Sequence, residues 1–516
     1  MAYTGILFKS SAQSRLQAEA PAYFADLSLD RVVSSITSGR REYDLKPLFY
    51  TPLTSAEEIR FRQEIMRDIR DGALFEAVKG FARAIYLVEL GIGSMERNAA
   101  QPGASPWGYL EKGELLEYAC TYCNSIDQLA GGLPAAAISS EGLLAFREFL
   151  LSYAASRDYM ALRAESRALK KELSDVQYCL LIKDGGVKVR KYDGEEDCTP
   201  DIESLFDRFR QGDAEDYTQR VPEEPYSRKV ESQVLQTVAR LYPPLFAQLD
   251  AFCEKHRAFL EKAFCDFARE AQFYIAYLEY IAPFERAGLK FSLPQVQAGR
   301  APVTASGMFD LALSEELLAQ GKPVVCNDFA LSERERVVIV TGPNQGGKTT
   351  FARVIGQLYH LSGLGCPVPA ADASLCVCDR IFTHFEREET LVNLSGKLQD
   401  DLIRIREILE NATGDSVILI NEILASTTLR DAVFIGKRIM DRILELGSLC
   451  VCVTFLDELA AYSDAIVSMV STVSPDDPAE RTYEVVRGPA DGLAYAAHIA
   501  RKFRLTYSQI KERIRA

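Results

Sequence analysis

Long apolar runs are scarce in this sequence of 516 residues. No uninterrupted apolar run reaches the roughly 18 residues that a membrane-spanning helix needs. The first ten residues, MAYTGILFKS, lack the charged region and the following apolar region of a secretory signal. These absences predict a protein that has no membrane partner and works in the cytoplasm.

Histidine is also scarce, with four residues in the chain. The one Cys-x-x-Cys motif, Cys120 to Cys123, has no second copy and no matching histidine pair, so neither a zinc nor a redox site is expected there. The twelve cysteines are scattered, and several lie in apolar runs. Buried, reduced thiols are therefore predicted.

Basic side chains are outnumbered, because 59 lysines and arginines stand against 73 acidic residues. The net charge is −14 and the pI is about 5.1. A broad surface for non-specific binding to nucleic acid or anionic lipid is disfavoured, although a local basic groove is compatible with this balance. The content of 47% apolar and 26% charged residues is that of a globular protein and excludes a largely disordered chain.

The first part of the chain shows helical periodicity, with apolar residues recurring every three or four positions. One helix is predicted to start where Thr54 caps the free amides and Glu57 reaches back. The period changes to two at about 177–193, around an Asp-Gly-Gly turn, which predicts a β-hairpin. Residues 1–305 are therefore predicted to form a helical domain with a small hairpin inserted.

From about residue 323, short β-branched runs alternate with helical segments. The predicted elements are a strand at 337–341, a helix from 348 to about 361, a strand at 417–420, a helix from about 430 to 445 and a strand at 450–455. This alternation is typical of a parallel α/β sheet. Residues 306–516 are predicted to form this second domain, and the chain is therefore multidomain.

A glycine-rich motif joins the first of these strands to the helix that follows. It fits the pattern G-x-x-x-x-G-K-[ST] and consists of Gly342, Pro343, Asn344, Gln345, Gly346, Gly347, Lys348 and Thr349, followed by Thr350. In such a P-loop the backbone amides and the helix N-terminus bind phosphate, the lysine neutralises the outer phosphates and the hydroxyl can hold Mg²⁺. The motif predicts a site for ATP and Mg²⁺.

A P-loop needs an acidic residue at the end of a neighbouring strand. The apolar run at 417–420 ends in Asn421 and Glu422. We predict that Glu422 is the general base that orients the attacking water. A solvated glutamate at a strand end is the competing interpretation.

The sequence TGPNQGGKTT at 341–350 resembles TGPNMGGKST of the MutS family of DNA mismatch-repair ATPases, and the similarity continues for almost two hundred residues. Further resemblances are Cys326 to Phe329 (family PNDI), Gly365 to Ala370 (G-x-x-VPA), Asp379 to Thr383 (DRIFT), Glu422 to Asp431, and Asp491 to Ala496. The resemblance implies an all-α lever or core domain with a reduced hairpin clamp, then an ABC-like P-loop ATPase domain and a helical C-terminus that dimerises.

This resemblance implies a dimer in which ATP lies between one subunit's P-loop and the other's signature segment. Ser395 and Gly396 occupy the signature position and would contact the γ-phosphate across the interface, while a plain helix cap is the competing interpretation of Ser395. Thr349 and Asn421 would hold Mg²⁺, and Asn344 would reach the phosphates.

Three departures from the family pattern concern hydrolysis. Asn421 replaces the family's aspartate and would hold Mg²⁺ less strongly. Phe455 replaces its switch histidine, and the STF segment after the signature glycine is absent. ATP binding is therefore expected more firmly than ATP hydrolysis.

The resemblance also bears on DNA. Family members that read mismatches carry an N-terminal domain with a Phe-x-Glu wedge. In this sequence the helical part starts early, so we expect no space for such a domain. Two tripeptides fit this pattern, at Phe146 and Phe252, but helical periodicity predicts core aromatics there. The hairpin carries basic residues that could contact DNA phosphates, yet a cluster of acids follows, and a merely solvated hairpin is the alternative.

Two hypotheses about function remain open. The first is a MutS-like dimeric, DNA-binding ATPase that is not mismatch-specific, acting as a homodimer. The second is a nucleotide-dependent protein-interaction switch that has lost DNA binding, which the net charge favours. An ABC-transporter or chromosome-cohesion ATPase is disfavoured because 47 residues between Lys348 and Ser395 are too few, and no lid or acceptor motif of a kinase is apparent.

Overall fold

A computed structural model describes most of the chain. The described residues are 3–9, 16–100, 107–133, 137–183, 186–194, 225–385, 397–424, 426–474, 480–490 and 503–515. Residue contacts divide them into two compact units. The first contains the described residues within Glu76–Ala136 and Ala145–Arg269, and the second those within Tyr3–Phe75, Ala137–Leu144 and Glu270–Ala516.

Helices dominate the chain up to residue 286. In chain order they are α1 (Leu29–Ile36), α2 (Lys46–Tyr50), α3 (Ala56–Ile69), α4 (Gly72–Ala99), α5 (Tyr109–Gly132), α6 (Glu141–Ala154), α7 (Arg157–Ser174), α8 (Pro225–Leu241), α9 (Pro243–Lys255) and α10 (Lys262–Arg286). A hairpin of β1 (Tyr178–Lys183) and β2 (Gly186–Lys191) lies between α7 and α8. The predicted hairpin is confirmed, with Lys183 paired to Gly186 across the turn.

Aromatic side chains fill the core of the first unit. Phe146 stacks on Phe267 with ring centroids 3.6 Å apart. Phe81 meets both rings edge-on, and Phe264 meets Phe146 edge-on. Phe252 is buried as well. Because Phe146 and Phe252 are core side chains, the prediction that their tripeptides are not exposed wedges is confirmed.

Strands and helices alternate in the second unit after residue 294. The elements are β3 (Gln295–Gln297), β4 (Val303–Met308), α11 (Leu311–Ala319), β5 (Asn327–Leu331), β6 (Val337–Thr341), α12 (Lys348–Gly363), β7 (Asp372–Cys376), β8 (Ile381–His384), α13 (Lys397–Asn411), β9 (Val417–Asn421), α14 (Leu429–Leu446), β10 (Leu449–Val453), α15 (Asp457–Ala460), β11 (Ile466–Val473), β12 (Arg481–Arg487) and α16 (Tyr507–Arg515). The predicted strands and helices between 337 and 455 are confirmed, and each observed end lies within two residues of the predicted one.

The larger sheet of this unit has six strands in the order β12-β11-β6-β10-β9-β8. Five of them, from β11 to β8, run parallel, and β12 is antiparallel at the edge. β6 and β10 are buried at every residue because Val, Ile, Leu and Cys side chains fill both faces. Their carboxyl ends therefore meet at one edge of the sheet, where loops can share a ligand.

A second sheet of four strands, ordered β3-β7-β4-β5, was not predicted. β4 pairs antiparallel with both neighbours, and β3 pairs parallel with β7 over three residues. Such short strands give little periodicity. The only local signals before residue 305 were prolines and glycines, which do not predict strands. The predicted all-α part therefore also contains β3 and the start of β4.

The N-terminal segment belongs to the second compact unit. Gln357 Nε2 on α12 donates to Leu27 O at 3.0 Å, and His360 Nε2 contacts Phe49 O at 3.0 Å. The contacts therefore group the chain differently from a single division at residue 305. Sequence periodicity cannot show which distant segment covers a helix, and so it placed this segment with the other helices.

One helix start was predicted wrongly. α3 begins at Ala56 with the extended residue Ser55 as its N-cap and no side-chain cap, so Thr54 lies outside the helix. Glu57 forms an ion pair with Lys9 at 2.9 Å rather than reaching back to the cap. Glu57 therefore binds Lys9, which is distant in sequence, instead of the backbone at the start of its own helix.

The predicted burial of cysteine holds for most described thiols. Cys120 and Cys123 are buried and free, and burial raises the pKa of Cys123 to about 12. Within the described ranges, no cluster of three or more His, Cys, Asp or Glu is arranged to hold a metal. None of the described helices combines the length and apolarity needed to cross a membrane.

Candidate nucleotide-binding site

The glycine-rich loop lies at the carboxyl end of β6 and leads directly into α12. Gly342 has φ 120° and Gly347 has φ 89°, conformations that favour glycine. A Cβ on Gly342 would lie 2.8 Å from Ser471 O, and one on Gly346 would lie 2.3 Å from Ser471 Oγ. The loop thus needs glycines both for its turn and for its close approach to β11.

Neighbouring strands hold this loop in place. The Ser471 hydroxyl donates to Gly346 O at 2.6 Å, and Arg481 Nε donates to Asn344 O at 3.2 Å. Both of these bonds use carbonyl groups of the loop as acceptors, so neither occupies a loop amide. The loop is therefore fixed by β11 and β12 as well as by its own glycines.

Lys348 is buried at the first position of α12. Its ammonium donates to Gly342 O and Pro343 O, both at 2.9 Å. Burial lowers the pKa of Lys348 from its usual value, while the charge of Glu422 acts in the opposite direction. The carboxylate and the ammonium are therefore close enough to interact electrostatically.

Polar groups from β9 reach the same edge of the sheet. The Thr349 hydroxyl donates to Asn421 Oδ1 at 2.8 Å. Glu422 follows with its backbone amide bonded to Val453 O of β10 at 2.9 Å. Glu422 has φ 57°, a left-handed conformation that costs a non-glycine residue about 1 to 3 kcal/mol and often occurs at functional sites.

Two oxygens at this spacing suit a small hard cation. Ligands next to each other around an octahedral Mg²⁺, with bonds of about 2.0–2.1 Å, lie about 2.9 Å apart. Thr349 Oγ1 and Asn421 Oδ1 match that separation. Both groups are neutral, so the site has less charge to hold the ion than one that includes a carboxylate.

An apolar cavity of about 470 Å³ adjoins the loop. Gly347 and Thr350 form the end nearest the loop, and the remaining walls include Phe309, Leu313, Leu317, Val325, Phe351 and Val354. Cavities of this size and apolar character are typical of sites for small organic ligands. Its position beside the P-loop suits the base and sugar of a nucleotide whose phosphates lie in the loop.

Two polar features mark the walls of this cavity. The Ser314 hydroxyl is buried and has no hydrogen-bond partner within the described part of the chain. Tyr483 lies near Gly347, with φ 61° and a half-exposed side chain. Asn327 holds this part of β12 by donating to Tyr483 O and accepting from the amide of Val485.

Comparison with known proteins identifies the region that contains this loop. Residues 338–511 match the family model for MutS domain V. This region of the chain is a MutS domain V. The matched region begins in β6 and includes the loop, Asn421 and Glu422.

Among curated relatives of the MutS domain V region, the Endonuclease MutS2 of Thermus thermophilus is 31% identical over 189 residues, which is 36% of this chain and 25% of the relative. The DNA mismatch repair protein MutS of Chlorobium limicola is 29% identical over 192 residues, which is 36% of this chain and 22% of the relative. The DNA mismatch repair protein MutS of Exiguobacterium sp. is 29% identical over 227 residues, which is 43% of this chain and 25% of the relative. The chain thus spans about a quarter of these relatives' lengths.

The structure brings together the predicted loop residues, Asn421 and Glu422 of the MutS domain V. Ser395 and Gly396 lie outside the described residues, as do Asp491 to Ala496. Phe455 has its ring centroid 4.6 Å from Lys348 Nζ.

Sequence reasoning missed several residues around the loop of the MutS domain V. These are Ser471 and Arg481, which bind its carbonyl groups, and Asn327, Ser314 and Tyr483 at the cavity. None belongs to a motif with a phosphate-binding mechanism of its own. The resemblance at Asn327 was a signal for one of them, although it did not indicate a role.

Proposed function

We propose that the chain is an ATPase of the MutS family that binds ATP and Mg²⁺ at the carboxyl edge of its six-stranded sheet. One observation carries the proposal: the hydrogen bond from Thr349 to Asn421 joins the glycine-rich loop after β6 to the polar end of β9. The apolar cavity beside Gly347 supplies a place for the base. The family match supports the same activity.

Each group has a chemical task in this proposal. The backbone of the loop from Gly342 to Thr350 surrounds the phosphates and binds them through its N–H groups, which Pro343 lacks, assisted by the N-terminal dipole of α12. Lys348 neutralises phosphate charge, and Thr349 with Asn421 would hold Mg²⁺, which would neutralise charge developing on the phosphates. Glu422 orients the attacking water as general base.

The proposal includes a homodimer in which Ser395 and Gly396 of one subunit complete the nucleotide site of the other. Apolar side chains on α14 and α16 are exposed, among them Phe434, Tyr507 and Ile514. Exposed apolar patches of this kind often mark protein interfaces. These side chains support an assembly, and light scattering with and without ATP would test it.

DNA is the proposed macromolecular ligand, because the relatives are named as DNA mismatch repair proteins and as an endonuclease. In the hairpin, Lys188 and Arg190 lie on β2 and could meet phosphates. We propose binding that is not specific for mismatches, in a protein that works in the cytoplasm.

A second candidate is a nucleotide-dependent switch that binds another protein instead. The observation that favours it is the hairpin strand β1, where Tyr178, Leu180 and Leu181 are each about 40% exposed or more. Exposed apolar side chains suit a protein partner better than a phosphate backbone. The net charge of −14 points the same way.

ATP turnover measured with and without homoduplex, mismatched and branched DNA tests the proposal. We expect ATP turnover to require Mg²⁺ and its rate to change when DNA is added. Lys348→Ala should lose nucleotide binding. A mobility shift should weaken steeply as salt rises. If no DNA shifts at any salt while ATP still binds, the DNA part is wrong and the protein-binding switch is favoured. If the parent chain binds ATP no better than the Lys348 variant, the nucleotide part is wrong.

A further inference from the structure

The ammonium of Lys348 has one donor left for a ligand. A lysine has three N–H donors, and two of these bind Gly342 O and Pro343 O at 2.9 Å. The side chain is 4% exposed, so solvent has little access to it. A phosphate oxygen that binds Lys348 must therefore use the remaining face of the ammonium.

An aromatic ring lies close to the same nitrogen. The centroid of the Phe455 ring is 4.6 Å from Lys348 Nζ, within the range of a cation–π contact. Phe455 follows β10, between the strands that lead to the loop and to Glu422. Its side chain is 49% exposed, so it is not held by the core.

The outermost phosphate would approach the lysine from this region. In a P-loop the backbone amides surround the inner phosphates, and the lysine extends to the outer ones. A phosphate oxygen bound to Nζ lies about 2.8 Å from it. A ring that is 4.6 Å from the same nitrogen occupies space that a terminal phosphoryl group and its water would need.

We propose that Phe455 determines which nucleotide the site prefers, by competing with the terminal phosphate of a nucleoside triphosphate and favouring the diphosphate. This inference rests on the proposed nucleotide site. A diphosphate fills the loop and leaves the ring on Lys348, whereas a triphosphate must displace it. The half-exposed ring can move without disturbing the core.

The test compares the dissociation constants of ADP and of a non-hydrolysable ATP analogue, both with Mg²⁺, for the full chain and for Phe455→Ala. We expect the variant to shift the preference toward the triphosphate by about 2- to 30-fold, the range that loss of a cation–π contact allows. Phe455→Leu keeps an apolar side chain without the ring's charge distribution and should shift the preference in the same direction.

A matched control is Tyr109→Leu on α5, in the first compact unit. Tyr109 is also an aromatic side chain with a cationic neighbour, because Lys112 Nζ lies 5.1 Å from its ring centroid. Its loss should leave the ratio of the two constants unchanged. Thermal unfolding of each variant verifies that the fold is intact.

The outcomes separate the inference from the function on which it rests. If both nucleotides bind the parent chain and the two Phe455 variants keep its preference, the inference is overturned while the nucleotide site stands. An equal change for ADP and the analogue also overturns it, since the ring would then not compete with the last phosphate. If the parent chain binds neither nucleotide, the proposed function fails and the inference fails with it.

Discussion

The Thr349 hydroxyl donates a hydrogen bond of 2.8 Å to the carboxamide oxygen of Asn421, across two elements separated by 72 residues in sequence. This bond ties the first turn of α12 to the end of β9. It also places two neutral oxygens where the proposed magnesium ion would need ligands. Their neutrality limits how strongly these two groups can hold the ion.

Replacement of Asn421 by aspartate should strengthen metal binding. A carboxylate attracts a hard divalent cation more strongly than a carboxamide does, so we expect the Mg²⁺ concentration for half-maximal nucleotide binding to fall by about tenfold. Titration of Mg²⁺ at fixed ATP measures it. Asn411→Asp, at the exposed end of α13, is the matched control. No change in the Asn421 variant would remove this residue from the metal site.

Replacement of Glu422 by glutamine should stop turnover but not binding. The amide cannot accept a proton from the attacking water, so the rate of ATP hydrolysis should fall by about 10²- to 10⁴-fold. ATP would then remain bound, and the dimer should persist in ATP on light scattering. Glu445→Gln, on the exposed end of α14, should keep the parent rate. Unchanged turnover in the Glu422 variant would show that another group is the base.

A larger side chain at Leu313 should block the apolar cavity. Leu313 lines the cavity and is 37% exposed, so tryptophan can be accommodated without repacking the core. We expect affinity for ATP and ADP to fall by about tenfold or more, while inorganic tripolyphosphate, which has no base, keeps its affinity. Glu316→Trp, on the same helix and exposed, should leave all three constants unchanged. An equal loss for tripolyphosphate would show that the cavity does not hold the base.

The buried imidazole of His360 should make stability depend on pH. Burial lowers its pKa from the ordinary value of 6.5 to about 4. The unfolded chain thus binds a proton more readily, and stability present above pH 6.5 is lost as the pH falls toward 4. The loss from this group is on the order of 3 kcal/mol. Urea unfolding between pH 7.5 and 4.5 measures it.

His360→Gln is the variant that isolates this effect. Glutamine can still donate to Phe49 O, which His360 contacts through Nε2, but it does not titrate in this range. We expect its free energy of unfolding to fall less steeply with acid than that of the parent chain. Parallel curves for the two proteins would mean that other groups cause the acid dependence.

The periodic parts of the fold could be predicted from the sequence. The β-branched runs of β6 and β9 and the glycine-rich loop are local signals, since backbone conformation there depends on neighbouring residues. The hairpin was also predicted from a local signal, the Asp-Gly-Gly turn between two short apolar runs. The four-stranded sheet was missed because its strands are short and pair over long distances, as Gln295 does with Ser374. The N-cap of α3 was missed because Glu57 has a tertiary partner in Lys9.

The sequence by itself determined the chemistry that this protein can offer: a glycine-rich loop, a lysine, a hydroxyl and a polar strand end, in an order that resembles one family. Only the tertiary structure decided what surrounds these groups. The ring of Phe455 lies on Lys348, and Ser471 supports Gly346, because the strand order places β10 and β11 on either side of β6. Residue spacing along the chain does not predict such contacts, because the order of strands in the sheet depends on how whole strands are buried.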